Sequence, residues 1–273
     1  MIAAYIEGVR KTENLLQILR SVARRKPVIA LKGGVSEEGA RAAASHTGSL
    51  AGSRKIWEAF FKQTDVIQVE SLEEMSDTVL AFVASAIPKG NGTSIITTSG
   101  GVSVIQTDAC VEAGLRLPTF TDETIERLRK IITAVGRGCI KNPLDAWPIF
   151  VSNNLPNAMA IIASDNNVHS LILEIEAEEF RCYAPITKGY FKNFVKTVID
   201  SCRQIQNTVG KPVMVCLPPS YYADVHGELE RTFQRYGLPT YPSIDRAGKA
   251  LFNTHKYYKR AQQISASTIY KTL

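Results

Sequence analysis

Histidine, tryptophan and methionine are scarce in this chain of 273 residues, with four, two and four copies respectively. Five cysteines (Cys110, Cys139, Cys182, Cys202 and Cys216) are scattered, odd in number and free of any CxxC spacing. That pattern excludes a disulfide framework and a structural zinc site, and it fits a reducing compartment. No uninterrupted apolar run reaches the roughly 18 residues of a membrane span. The N-terminal stretch MIAAYIEGVRK is interrupted by Glu7 and has no basic region before it, so it does not read as a secretory signal. The expected location is cytoplasmic, with no membrane association. No GxSxG elbow is present, which argues against a serine hydrolase. Zinc-finger spacing and aromatic-interleaved basic stretches are also missing, so nucleic acid is not the expected partner.

What is present is an ordinary globular composition, 45% hydrophobic and 21% charged, in a length that suggests about two domains. The net charge of +6 suits anionic ligands such as phosphorylated metabolites or nucleotides. Strand and helix signals alternate. Residues 2–6 read as a strand and 12–25 as a helix with Thr12 as N-cap, stopped by Pro27. Val28 to Leu31 is a short apolar run of the kind parallel strands show. Ile56, Trp57, Phe60 and Phe61 predict one stripe of a helix. Residues 66–69 read as a strand, and Ser71 with Glu74 forms a capping box. Pro88 to Gly92 is the best linker. Beyond it, strands are expected at 94–98, 170–175 and 213–217. Helices are expected at 102–113, closed by Gly114, from Thr121 through Ile132, and near 187–207, 222–236 and 245–262. The alternation predicts an α/β fold with mainly parallel sheets.

The halves echo each other. KPVIAL at 26–31 resembles KPVMVCL at 211–217, DVIQVESLEE from Asp65 resembles GLPTYPSIDR from Gly237, and Glu7 has a counterpart in Glu176. The matches run in one order, which predicts two related units. The first copy alone carries a polar insertion after its central strand, residues 32–52.

That insertion, KGGVSEEGARAAASHTGSLAG, is rich in small residues whose free amides could form an anion nest, and it reads as a loop carrying His46. An exposed histidine there can serve as nucleophile, base or ligand, or simply be solvated. Metal binding is disfavoured because no second ligand lies at suitable spacing. Ser99-Gly100-Gly101 follows a strand and opens a helix, so its free N–H groups and the helix dipole could hold a phosphate. Glu7 stands at the carboxyl end of a parallel strand, where open α/β sheets place their sites.

SHTGSLAG (45–52), with KPVIALKGG before it and DVIQVESLEEM after it, resembles the phosphohistidine segment of ADP-forming acyl-CoA synthetases of the succinyl-CoA synthetase superfamily. The resemblance extends through ITTSGGVSVIQTDACVEAGLRLP (96–118), NPLD (142–145) and GLPTYPSIDRAGKAL, and so covers nearly the whole chain. It implies two flavodoxin-like three-layer α/β/α domains, residues 1–90 and 91–273, the first incomplete at its N-terminus. It also implies a relay in which ATP phosphorylates a histidine, the phosphoryl group passes to or from an acyl phosphate, and CoA takes the acyl group. By match, His46 is the carrier and Glu7 accepts its imidazole N–H. Ser45 and Gly48 flank the carrier as phosphate ligands, and Gly100 and Gly101 cap the phosphoryl group. Asn142 and Asp145 are candidates for support of that site.

Departures accompany the match. The CoA-binding Rossmann domain, with its GxGxxG, and the ATP-grasp domains are expected outside this chain. Ser103 stands where a smaller residue is expected. Mg-ATP and CoA are therefore expected as substrates of an assembled enzyme, with an ATP-grasp partner, a Rossmann partner and an oligomeric state, and none is expected to be held tightly by this chain. The rival expectation is a silent remnant or regulatory domain pair, as in related protein acetyltransferases.

Overall fold

The computed structural model describes residues 1–9, 13–47, 53–132, 140–146, 149–150, 152, 154–178 and 190–269. In the first part of the chain, Val28–Lys32 (β2) is buried along its whole length because parallel strands flank it on both sides. Ile2–Ile6 (β1) pairs with it on one edge and Ile67–Val69 (β3) on the other. Leu15–Ala23 (α1) and Arg54–Thr64 (α3) supply the apolar side chains for one face, with Ala23, Phe61 and Val66 packed against Val28 and Ala30. Trp57, Phe60 and Phe61 make mutual ring contacts with centroids 5.4–6.0 Å apart. Ile56 does not join them; it is 68% exposed, so the predicted stripe is one residue narrower. The α1 helix begins after Asn14, and the expected cap at Thr12 lies outside the described residues.

Leu72–Ala84 (α4) follows β3. Its first turn is held by Ser71, whose hydroxyl accepts from the Glu74 N–H at 3.1 Å. The reciprocal half of the capping box reaches one residue further back, since the Glu74 carboxylate accepts from the Glu70 N–H at 2.9 Å.

The second sheet has five parallel strands in the order β5-β4-β6-β7-β8. They are Thr93–Thr97 (β4), Leu144–Asp145 (β5), Ser170–Glu174 (β6), Val213–Cys216 (β7) and Thr240–Tyr241 (β8). Alternate residues point to opposite faces, as the strand period requires. Ile95, Ile172, Met214 and Cys216 face one side, covered by Gly100–Glu112 (α5) and Ile244–Ile269 (α10) through Cys110, Ala247, Ala250 and Leu251. Ile96, Leu171, Leu173, Val213 and Val215 face the other. There they meet Asp122–Ile131 (α6), Leu155–Ser164 (α7), Tyr190–Gln204 (α8) and Ala223–Arg235 (α9). This is a three-layer α/β/α unit. A π turn, Ile205–Val209, ends α8, and Gly210 follows with positive φ.

Chain contacts divide the protein into two compact units. One comprises Met1–Val79 with the end of α10 from Lys259; the other is Leu80–Tyr258. The division by contacts falls within α4. Arg260 ties the helix end to the first unit, pairing with Asp65 and donating to the Lys62 carbonyl. The expected linker is a packed turn of the second unit. The Asn91 and Gly92 carbonyls accept from the Arg116 and His169 N–H groups, and a Cβ on Gly90 would stand 2.8 Å from the His169 ring.

The internal repeat is realised in the ladders. Ile2 lies opposite Val28 as Leu171 lies opposite Val213, and Leu31 opposite Val69 as Cys216 opposite Tyr241. Counting along the strands from these pairs brings Glu7 and Glu176 to one position. Asp65 and Gly237, which precede the third strand of each copy, both have positive φ (64° and 73°). Ser71 and Ser243 cap the following helices alike.

Gly114, φ 99°, closes α5 where a Cβ would lie 2.5 Å from the Phe252 ring. Gly114→Ala is expected to destabilise the second unit by about 2 kcal/mol, since strain and overpacking add. A urea midpoint checks this, and an unchanged midpoint would contradict the close approach.

Candidate functional site

The predicted loop around His46 is mostly helix. Glu37–Thr47 (α2) starts behind Ser36, whose hydroxyl accepts from the Gly39 N–H at 3.0 Å. Glu37 and Glu38 favour the positive end of the helix dipole, and the alanines of ARAAAS outweigh the lone Gly39 in propensity. His46 falls in the last turn with its side chain 80% exposed. Gly48 lies outside the described residues. Ser45 turns its hydroxyl back to the Ala42 carbonyl (2.8 Å), so its proton is used within the helix.

Glu7 follows the carboxyl end of β1 and is brought to His46. Its Oε1 stands 4.0 Å from His46 Nδ1, with the Glu7 side chain only 20% exposed. At that distance the pair is electrostatic, and a direct hydrogen bond of the expected kind requires the imidazole to approach by about 1 Å. Tyr5 lies across Gly33, where a Cβ would collide with its hydroxyl, and donates to the same Glu7 oxygen at 3.4 Å. A buried charge with no signature in the sequence completes the group: Lys32, at the end of β2, donates to the Glu7 carbonyl at 2.8 Å and to the Gly33 carbonyl. Burial lowers its pKa and the Glu7 charge opposes that shift.

The second unit holds the glycine turn. Ser99 is extended and α5 starts at Gly100, so the first N–H groups of the helix have no intrahelical acceptor. Gly100 is needed for close approach, because a Cβ there would stand 2.4 Å from Asp145 Oδ2. Around Gly101 there is open space. Ser103 donates to the Gly100 carbonyl at 2.7 Å, which leaves those N–H groups untouched. Of the two supporting candidates, only Asp145 reaches the turn, and burial raises its pKa. Asn142 instead braces β4: its amide donates to the carbonyls of Thr93 (2.8 Å) and Pro118 (3.0 Å) and its oxygen accepts from the Ile95 N–H.

Three buried polar residues fix the turn from below. Glu174 accepts from the Thr97 hydroxyl and from the Gln106 amide, both at 2.6 Å, and the Thr97 oxygen accepts from the Ser99 N–H at 3.2 Å. Glu174 and Gln106 lie far apart in sequence, and only the sheet order brings them together; a strand-end glutamate alone gives no such signal.

Glu176 has its pKa raised by burial, then by Glu174 and Glu178. A raised carboxyl pKa means stability is complete below the unfolded value and is lost as pH rises through the folded one. Glu176→Gln is therefore expected to raise the thermal midpoint at pH 7 by roughly 2 °C and to leave it unchanged near pH 3. Calorimetry at the two pH values checks this. Cys110 and Cys202 are pushed up to about 12 by burial, which removes them as thiolate nucleophiles at neutral pH. Among the described residues no group of three or more histidine, cysteine or acidic side chains could hold a metal ion, and no helix is long and apolar enough to cross a membrane.

The chain thus consists of two parallel-sheet α/β units, one with a histidine helix against a strand-end glutamate and one with a glycine turn opening a helix. Residues 1–82 match the succinyl-CoA ligase like flavodoxin domain and 93–265 the ligase-CoA domain, and the chain belongs to this ligase family. It is 35% identical, over 92% of its length, to the alpha subunit of the ADP-forming acetate–CoA ligase II of Pyrococcus furiosus, of which it covers 52%. It is 32% identical over 95% of its length to the ADP-forming acetate–CoA ligase I of Archaeoglobus fulgidus, covering 34% of that protein. Among solved structures, the dinucleotide-forming acetyl-coenzyme A synthetase 1 of Ca. Korarchaeum cryptofilum, in complex with phosphate and ADP, superposes with a TM-score of 0.78 at 25% identity. That match covers 97% of this chain and 55% of the other. The chain thus spans between a third and about half the length of these relatives.

Proposed function

We propose that this chain is the phosphohistidine-bearing part of an ADP-forming acyl-CoA synthetase. The observation that carries the reading is the approach of Glu7 to His46 Nδ1 at the carboxyl edge of the first sheet, in a chain of this ligase family. A carboxylate facing Nδ1 holds the ring proton there and leaves Nε2 as the nucleophile. Nε2 attacks the γ-phosphorus of Mg-ATP, and the bond to the β–γ bridging oxygen breaks with release of ADP. A substrate carboxylate then takes the phosphoryl group from Nε2, restoring neutral His46 and giving an acyl phosphate. The CoA thiolate displaces phosphate from the acyl carbon, and acyl-CoA is formed.

The Ser99–Gly101 turn serves the phosphoryl group in this scheme. Phosphoryl transfer spreads negative charge over three oxygens, and N–H groups preorganised at a helix N-terminus stabilise it without reorganisation. The rigid seat of that turn on Thr97, Glu174 and Gln106 supports the role. An ATP-grasp unit would deliver the nucleotide and a CoA-binding Rossmann unit the thiol. Acetate is the phosphoryl acceptor, and so the acyl source, to try first.

The test is reconstitution. The chain is mixed with an ATP-grasp subunit and a CoA-binding domain of an acetate–CoA ligase, together with Mg-ATP, CoA and acetate. The expected result is one ADP and one phosphate released per acetyl-CoA formed. No product, from partners that are active with an intact homologous subunit, would favour a silent docking pair.

A further inference from the structure

The two copies of the repeat differ in charge at a buried position beside the site. In the first unit the strand after KPVIAL ends on Lys32; in the second the equivalent residue is Leu217. Both side chains are buried, Lys32 6% exposed and Leu217 2%. Leucine therefore satisfies this place in the fold, and burying an ammonium there costs desolvation that a leucine avoids. The charge occurs only in the copy that carries the histidine helix.

Its contacts indicate what it serves. Two donors of Lys32 Nζ go to main-chain carbonyls, those of Glu7 and Gly33, at the carboxyl ends of β1 and β2. The ammonium also lies over the Trp57 ring, 5.4 Å from its centroid, which closes it in from the α3 side. Glu7 is the first residue past the β1 ladder, since the last pair is Ile6 with Lys32. Beside this contact, the Gly33 N–H to Ile6 carbonyl bond at 3.0 Å continues the strand pairing toward the site. Glu7 thus has its main chain anchored by Lys32 and its carboxylate touched by Tyr5. The counterpart Glu176 has two neighbouring carboxylates, Glu174 and Glu178, acting on it instead.

We infer that Lys32 is a positioning residue for the Glu7–His46 pair. By holding the Glu7 carbonyl it fixes the carboxylate toward Nδ1, and its charge offsets the repulsion between Glu7 and a phosphoryl group arriving at His46. This rests on the phosphohistidine reading, and the experiment separates the two.

Lys32→Leu copies the residue the second unit uses, and Lys32→Met is a second, unbranched replacement. Both are expected to keep or raise the thermal midpoint. With an ATP-grasp partner and Mg-ATP, phosphorylation of His46 is expected to slow by about 10–100-fold, the range for loss of a residue that orients a site group. In a Glu7→Gln background the same change is expected to add less than about twofold, because Lys32 acts through Glu7. Nitrogen-15 NMR of the neutral imidazole gives an activity-independent readout: Nδ1–H should dominate in the wild type and fall toward a mixture in both variants. An unchanged tautomer in both variants, wild-type phosphorylation, or an undiminished effect in the Glu7→Gln background would overturn the inference. If the wild type itself takes no phosphoryl group from an active partner, the relay reading fails. The tautomer measurement then still decides the role of Lys32.

Discussion

His46→Asn is expected to reduce acyl-CoA formation in the reconstituted system to background. Removing the nucleophile of a covalent route costs on the order of 10^6-fold when nothing replaces it. Asparagine keeps a polar side chain of similar reach at the end of α2, so the helix and its Ser36 cap should persist and the midpoint should be unchanged. Glu7→Gln is the graded companion, with an expected loss of about 10–100-fold. A glutamine can turn its amide N–H toward Nδ1, which favours the tautomer with the proton on Nε2 and blocks the attacking lone pair. The two variants should also differ in kind, because the glutamine variant still becomes phosphorylated, slowly. A histidine variant that retains turnover would remove His46 from the mechanism.

Gly100→Ala is expected to lower turnover by about 10–100-fold, the equivalent of one or two charge-assisted hydrogen bonds to the phosphoryl oxygens. The methyl group would stand 2.4 Å from Asp145 Oδ2, on a side chain too short to move far. The start of α5 must therefore shift and its N–H groups lose their aim. Gly101→Ala is the folding control one residue along: nothing lies within 4 Å of its added methyl, so its thermal midpoint is expected to be kept or raised. Asp145→Ala in the Gly100→Ala chain opens the space and should restore part of the lost rate. Steady-state kinetics of the three proteins check this. Equal rates for Gly100→Ala and wild type would show that the turn does not hold the phosphoryl group.

The ladders were legible from KPVIAL and KPVMVCL, because a fully buried parallel strand leaves a continuous apolar run. The three ordered matches make the repeat legible too, and in the structure the left-handed Asp65 and Gly237 and the serine caps repeat with them. The histidine segment was harder to assign. Its glycines and serines read as loop, yet three consecutive alanines behind two glutamates suffice for a helix. The roles of Lys32 and Glu174 were not legible, since a charge at a strand end usually meets water. Only the neighbouring strands reveal that each is enclosed and hydrogen-bonded. Asn142 shows the opposite case: a polar residue in a motif near the turn hydrogen-bonds the main chain of β4. The composition of Pro88–Gly92 is that of a linker, but Gly90 and Gly92 admit the His169 ring and the Asn167 carbonyl.

The most direct test of the account is the intact mass of the chain after incubation with Mg-ATP and an active ATP-grasp partner. The account predicts a gain of one phosphoryl group that is lost in acid, stable in base and mapped to His46. An unchanged mass, or an acid-stable gain on another residue, would contradict it.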